Sequence, residues 1–126
     1  MFSHGDFTHA QLLTGEGRCG LVDFDSIARA EPALDLGQFL AYLRIATARA
    51  EPSAGSDPAD RMGERFLAAY VEAADAGVGT EVLRGRAEVY ETISLLRCTV
   101  HAWQKLNARR ARTVLSILLR QVARLA

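Results

Sequence analysis

From Pro32 onward, Leu34, Leu36, Phe39, Leu40, Leu43 and Ala46 recur at three-to-four-residue spacing, a period that one face of an α-helix satisfies and a strand does not. This predicts a helix from Pro32 to about Ala50. The next stretch, Glu51-Pro52-Ser53-Ala54-Gly55-Ser56-Asp57-Pro58, holds two prolines and polar breakers, so a surface loop is expected, with Asp57 capping a helix that starts at Pro58 or Ala59 and ends near Gly77. Thr80 is expected to cap a third helix whose buried stripe is Leu83, Val89, Ile93, Leu96, Val100, Trp103 and Leu106. Trp103 and Tyr90 lie on or near that stripe and are expected in the core. After a break near Asn107, a last helix is expected to bury Val114, Leu115, Leu118, Val122 and Leu125. Only residues 10–25 read as β-structure, a hairpin whose turn lies in Thr14-Gly15-Glu16-Gly17-Arg18. The expected fold class is α+β, mainly α: one short hairpin packed on about four helices.

A chain of 126 residues fits one domain able to bury most of its apolar surface. Its 15 basic and 15 acidic residues balance, so net charge calls for neither nucleic acid nor membrane as a partner. The distribution is uneven. Every acidic residue lies at or before Glu91, and the rest of the chain is cationic: Arg97, Lys105, Arg109, Arg110, Arg112, Arg120 and Arg124. These arginines are expected to face solvent on a core helix. The two cysteines, Cys19 and Cys98, form no CxxC and have no His partners, so neither a disulfide framework nor a zinc site is expected. Met1-Phe2-Ser3-His4-Gly5-Asp6 lacks the basic start and apolar run of a signal peptide, which predicts a cytoplasmic protein.

Two acidic motifs flank the hairpin: His4-Gly5-Asp6-Phe7-Thr8-His9-Ala10-Gln11 before it and Leu21-Val22-Asp23-Phe24-Asp25 after it. Phosphoryl transfer needs a carboxylate aimed at the attacking hydroxyl, and oxygen ligands that hold magnesium against the phosphates while charge spreads over the transferred group. A hairpin can bring both sets together. Asp6 is then the candidate base, Gln11 on the entering strand a candidate amide-oxygen ligand, and Asp23 on the returning strand the main metal carboxylate. The run Gly15-Glu16-Gly17-Arg18-Cys19-Gly20-Leu21-Val22 also spells GxGxxGxV. Leu21-Val22-Asp23-Phe24 reads as a strand and not as a helix, however, so a hairpin turn is expected in place of a nucleotide loop.

These motifs resemble the aminoglycoside phosphotransferase and choline kinase family, whose catalytic loop reads His-Gly-Asp followed, after four intervening residues, by Asn, with a metal-binding aspartate downstream. His4-Gly5-Asp6 matches directly; Gln11 stands where the family has Asn, as in maltokinase-like relatives; Asp23-Phe24-Asp25 falls at the metal aspartate. Glu31-Pro32-Ala33-Leu34-Asp35-Leu36-Gly37 is similar to the family's Pro-x-x-Asp-Leu-Ala segment. The resemblance implies a base role for Asp6, magnesium on Gln11 and Asp23, a loop-shaping role for His4 and a bracing role for Asp35. Asp25 is left between a second metal and a turn cap.

The resemblance further implies an ATP-dependent phosphotransferase acting on a hydroxyl of a small molecule, with residues 1–37 carrying the catalytic and metal motifs and residues 38–126 forming a helical substrate side. The family's upstream lobe, with its glycine-rich lid and phosphate lysine, has no counterpart here, since the sole lysine, Lys105, lies in the helical half. The chain is therefore expected to resemble a C-terminal lobe, inactive without an N-terminal lobe or a neighbouring chain that grips ATP. The alternative is a non-catalytic remnant or helical interaction module. Self-association is expected through a patch around Phe2, Phe7 and the hairpin edge. Glu64, Glu72, Asp75, Glu88 and Glu91 could meet an amine-bearing substrate or simply solvate helices.

Overall fold

The computed structural model describes residues 1–48, 57–74 and 79–126. The chain runs β1 (Phe2–Ser3), a single 3-10 turn (His9–Gln11), β2 (Leu12–Gly15), β3 (Arg18–Leu21), β4 (Ala28–Arg29), then α1 (Pro32–Thr47), α2 (Pro58–Ala74), α3 (Thr80–Gln104) and α4 (Ala108–Leu125). Mainly helical with a little β-structure is the outcome, as the periodicity implied. The β-structure is not one sheet, however. Besides the β2–β3 hairpin, β1 pairs antiparallel with β4, Phe2 opposite Arg29 and Ser3 opposite Ala28, and the Ala30 amide donates to the Met1 carbonyl at 3.1 Å. Two-residue strands carry too little alternation to be read from sequence. Their effect is large, because they deliver residues 4–6 onto the first turn of α1.

The hairpin is narrower than 10–25. Glu16 and Gly17 both have positive φ, 49° and 73°, which gives the turn twist that a tight hairpin prefers. Gly20 and Leu21 continue β3, so GxGxxGxV spans a hairpin and not a loop opening a helix. At the helix starts, Asp57 accepts from the Ala59 amide at 2.9 Å, as expected. Thr80 is the first helical residue of α3 and not its cap; Gly79 holds the cap position without a side-chain bond. Asn107 caps α4 by accepting from the Arg110 amide at 3.0 Å. The expected helix ends near Ala50 and Gly77, and the loop from Glu51 to Ser56, lie outside the described residues.

The core lies on both sides of α1. Ala33, Leu36 and Leu40 meet Leu67 of α2 and Leu83 and Ala87 of α3, while Ala41 and Ile45 meet Leu95 and Cys98 of α3 and Val114, Ile117 and Leu118 of α4. Each fully buried leucine contributes about 2 kcal/mol of transfer free energy. The face that α3 buries differs from the expected stripe. Only Leu83 of that stripe is buried; Val89, Ile93, Leu96, Val100, Trp103 and Leu106 are exposed, and Trp103 is 73% exposed. The buried face is instead Leu83, Ala87, Glu91, Ser94, Leu95, Cys98 and Ala102.

Gly37 supplies the physical reason. A Cβ there would lie 2.5 Å from the Ala87 carbonyl oxygen and 2.6 Å from the Glu91 amide nitrogen, so α1 and α3 cross nearly backbone to backbone, and only small side chains fit at the crossing. Tyr90 is half-buried at its edge. In α4 the buried set is Ala111, Val114, Ile117, Leu118 and Gln121, whereas Leu115, Val122 and Leu125 face outward.

A polar network joins α1, α2, α3 and α4. Arg44 donates through Nε to the buried Glu91 carboxylate and through Nη1 to Asp60 at 2.7 Å, and Arg124 grips Asp60 with two bonds of 2.7 and 3.0 Å. Glu91, 1% exposed, is thus an internal ion-pair partner and neither a substrate ligand nor a solvating group. Burial pushes its carboxyl pKa up against the pull of Arg44. Arg124 and then Arg44 hold Asp60 down at about 2. Glu64 pairs with Arg84. Among the described residues no helix is long and apolar enough to cross a membrane.

Candidate functional site

The loop from His4 to Thr8 is fixed from three directions. The carboxylate of Asp35, in the first turn of α1, accepts the His4 amide on Oδ2 at 2.6 Å and the Gly5 amide on Oδ1 at 2.9 Å. Charge-assisted bonds of this kind are roughly twice as strong as neutral ones, so one side chain orders two consecutive peptides. The His4 ring, 6% exposed, reaches the far side of the hairpin, where Nε2 stands 2.8 Å from the Val22 carbonyl. A carbonyl can only accept, so the proton sits on Nε2 and Nδ1 is left to accept the Asp6 amide at 3.3 Å. His4 therefore ties the loop before the hairpin to the segment after it.

Gly5 could be no other residue without rebuilding the loop. Its φ is +81°, and a Cβ would collide with the Ser26 carbonyl oxygen. Beyond it, Asp6 accepts on Oδ1 from Gln38 Nε2 at 2.6 Å. Gln38 is 2% exposed, one turn along α1 from Asp35, so the same helix braces the loop and orients the Asp6 carboxylate. Phe7 fills the space below, stacked on Phe39 at 5.2 Å with Phe66 beyond it. Phe7 is thus half-buried and does not belong to the exposed patch with Phe2.

Gln11 and Asp23 come together, although neither lies on a strand. Gln11 ends the 3-10 turn and Asp23 follows β3 by two residues, in the left-handed region at φ 67°. Gln11 Nε2 is 3.5 Å from Asp23 Oδ2, while its Oε1 accepts from the Thr8 hydroxyl. A non-glycine residue held at positive φ is a local strain of about 1 kcal/mol, of the kind that collects at functional sites. Asp25 is exposed, in the turn closed by the Ile27 amide donating to the Phe24 carbonyl at 3.1 Å.

The donor chemistry suits magnesium. The Asp23 carboxylate is a hard oxygen donor of the kind that holds magnesium, with water and phosphate oxygens completing the octahedron, whereas Gln11 turns its amide N–H toward Asp23 and its oxygen toward Thr8, so it would ligate a metal only with its amide turned over. Among the described residues no three His, Cys, Asp or Glu side chains converge into a metal cage.

Sequence reasoning missed Gln38 and Tyr42. Both sit on α1 in a stretch that reads only as helix, and the signal for Gln38 was a lone polar residue on an apolar face. Tyr42 is half-buried, its hydroxyl pKa pushed up to about 12 by burial, with the Cys98 thiol and the Asp6 carboxylate adding to it, so it stays a hydrogen-bonding O–H near Asp6. Set beside protein-family models, curated proteins and solved structures, the chain matches none of them.

Proposed function

We propose that residues 1–126 form the acceptor and magnesium half of an ATP-dependent phosphotransferase whose substrate is a small-molecule hydroxyl, resembling the C-terminal lobe of the aminoglycoside phosphotransferase and choline kinase family. The observation that carries this is the convergence on Asp35: one carboxylate binds the amides of His4 and Gly5, and the His4 ring in turn holds Val22, next to Asp23. Three motifs separated in sequence are thereby locked into one unit, an arrangement hard to explain for isolated turn-capping aspartates.

In this proposal the substrate hydroxyl oxygen attacks the γ-phosphorus of ATP, the bond to the departing ADP breaks, and the hydroxyl proton passes to Asp6. Gln38 holds one Asp6 oxygen, which fixes the direction in which the carboxylate can accept that proton. His4 and Asp35 touch no reactant; they position the loop. Magnesium, held by Asp23 with Gln11, would offset the charge on the phosphates. The nucleotide grip comes from an N-terminal lobe or a neighbouring chain, so the chain alone should bind Mg-ATP weakly and release no ADP above background.

With that grip supplied, Asp6→Asn should leave the fold intact and lower substrate-dependent ADP release by about 10² to 10⁴. Near-normal turnover of the variant would remove Asp6 from the mechanism.

The second function to weigh is a helical interaction module, favoured by the exposed row Val89, Ile93, Leu96, Val100 and Trp103 on α3. The two are separable, since a module of that kind would be indifferent to changes at Asp6 and Asp23.

A further inference from the structure

The outward face of α3 carries a pattern that packing within the chain leaves unused. Val82, Val89, Ile93, Leu96, Val100 and Trp103 are 46–73% exposed. From Val89 on they follow at alternating steps of four and three residues, and Arg86 fills the same line between Val82 and Val89. Such steps place side chains along one narrow stripe, the seam by which two helices wrap around each other. The stripe lies opposite the face that α3 buries through Ala87, Glu91, Ser94, Cys98 and Ala102. It runs for about 30 Å along the helix. Leu96 and Val100 also edge an open cavity of about 580 Å³ between α1, α3 and α4, so a helix lying along the stripe has a groove to settle into.

Charge decides what lies there and in which direction. Arg84 pairs with Glu64, Arg86 with Glu31 and Glu91 with Arg44. With those pairs set aside, the charges along α3 are Glu81 and Glu88 toward its start and Arg97 toward its end, with Lys105 just beyond. A second α3 running the opposite way sets the acidic start of one against the basic end of the other, and opposes the two helix dipoles. A second α3 running the same way sets like charge against like.

The stripe is also complementary to itself in the antiparallel sense. Ile93 falls opposite Leu96, Val89 opposite Val100, and Arg86 opposite Trp103, where a guanidinium can lie over the indole ring. A parallel pairing would instead set Arg86 against Arg86. We infer that α3 pairs with α3 of a second copy of this chain, antiparallel about a two-fold axis that passes between Ile93 and Leu96, so that the same patch serves both copies. A seam of one helix per copy is small among specific interfaces, so monomer and dimer exchange reversibly. Nothing in this inference rests on the phosphotransfer proposal.

Trp103 is the sole tryptophan and reads the interface directly. Sedimentation equilibrium of the full chain should show a monomer–dimer exchange, and over the same concentrations tryptophan emission should move to the blue as Trp103 is covered. Leu96→Glu should weaken dimerisation at least about tenfold by burying a carboxylate without a partner, whereas Leu119→Glu, at an exposed leucine of α4, should not. Direction is read by disulfide trapping after Cys19→Ser removes the exposed native thiol. Val89→Cys chains mixed with Val100→Cys chains should cross-link to each other. Val89→Cys chains alone should not, because in the antiparallel pair the two equivalent positions stand about 16 Å apart along the helix. The inference is overturned by a chain that stays monomeric with unchanged emission at high concentration, by a dimer indifferent to Leu96→Glu or equally weakened by Leu119→Glu, or by Val89→Cys chains that cross-link alone.

Discussion

Gly5 is the residue on which the loop geometry depends most. Its positive φ and its close approach to the Ser26 carbonyl leave no space for a side chain, so Gly5→Ala should destabilise the chain by about 2 kcal/mol or more, from left-handed backbone strain plus the clash. Denaturant unfolding checks this, and an unchanged midpoint would show that the loop can re-form another way. Neighbouring residues divide into those that touch the reactants in our proposal, Asp6 and Asp23, and those that hold them, His4, Asp35 and Gln38. The division was partly legible in the sequence. His4-Gly5-Asp6 and Asp35 stand out as motif residues, and the structure joins them by hydrogen bonds. Gln38 does not stand out, because its meaning comes from a residue 32 positions away.

At the scale of elements, the helices were legible and their buried faces were not. Leu34 to Ala46 announced α1 because large apolar residues mark its period. In α3 most of the large apolar residues mark the solvent side, and the packed side adds Ala87, Ser94, Cys98 and Ala102 to Leu83 and Leu95, with Ala87 at the close approach to Gly37. Hydrophobicity read from sequence cannot rank a small residue at a tight crossing above an exposed leucine. The polar joint among the helices was invisible for the same reason, since Arg44, Asp60, Glu91 and Arg124 each look like surface charges until the helices meet.

That joint has a pH signature. With its folded pKa held at about 2, below the ordinary 3.8, Asp60 stabilises the chain above pH 4, and the contribution fades as pH falls from about 4 toward 2. Asp60 is about a third exposed, so the contribution is on the order of 1 kcal/mol after solvent screening. Stability curves of the wild type and Asp60→Asn should therefore lie apart at pH 5 and converge by about pH 2. Parallel curves would contradict the assignment of the shift to Arg124 and Arg44. Glu91 acts in the opposite sense, its raised pKa favouring the acid side, which is why the comparison with Asp60→Asn isolates the Asp60 contribution.

For the whole molecule, two surfaces stand out. Phe2, Leu13, Phe24 and Ile27 are exposed around the hairpin, and Ile93, Leu96, Val100 and Trp103 form a row along the outside of α3. Rows of this kind at heptad spacing associate, so sedimentation should show self-association that Leu96→Glu with Trp103→Glu reduces. A strictly monomeric chain at high concentration would contradict it. The central claim, that Asp23 and Gln11 hold a divalent cation beside Asp6, is tested most directly by paramagnetic titration with Mn²⁺, which takes the same oxygen ligands as magnesium. The amide resonances of Gln11, Asp23 and Phe24 should broaden first, and Asp23→Ala should remove this selectivity. Broadening that begins instead at Asp60, Glu64 and Glu88, or that is unaltered by Asp23→Ala, would contradict the claim.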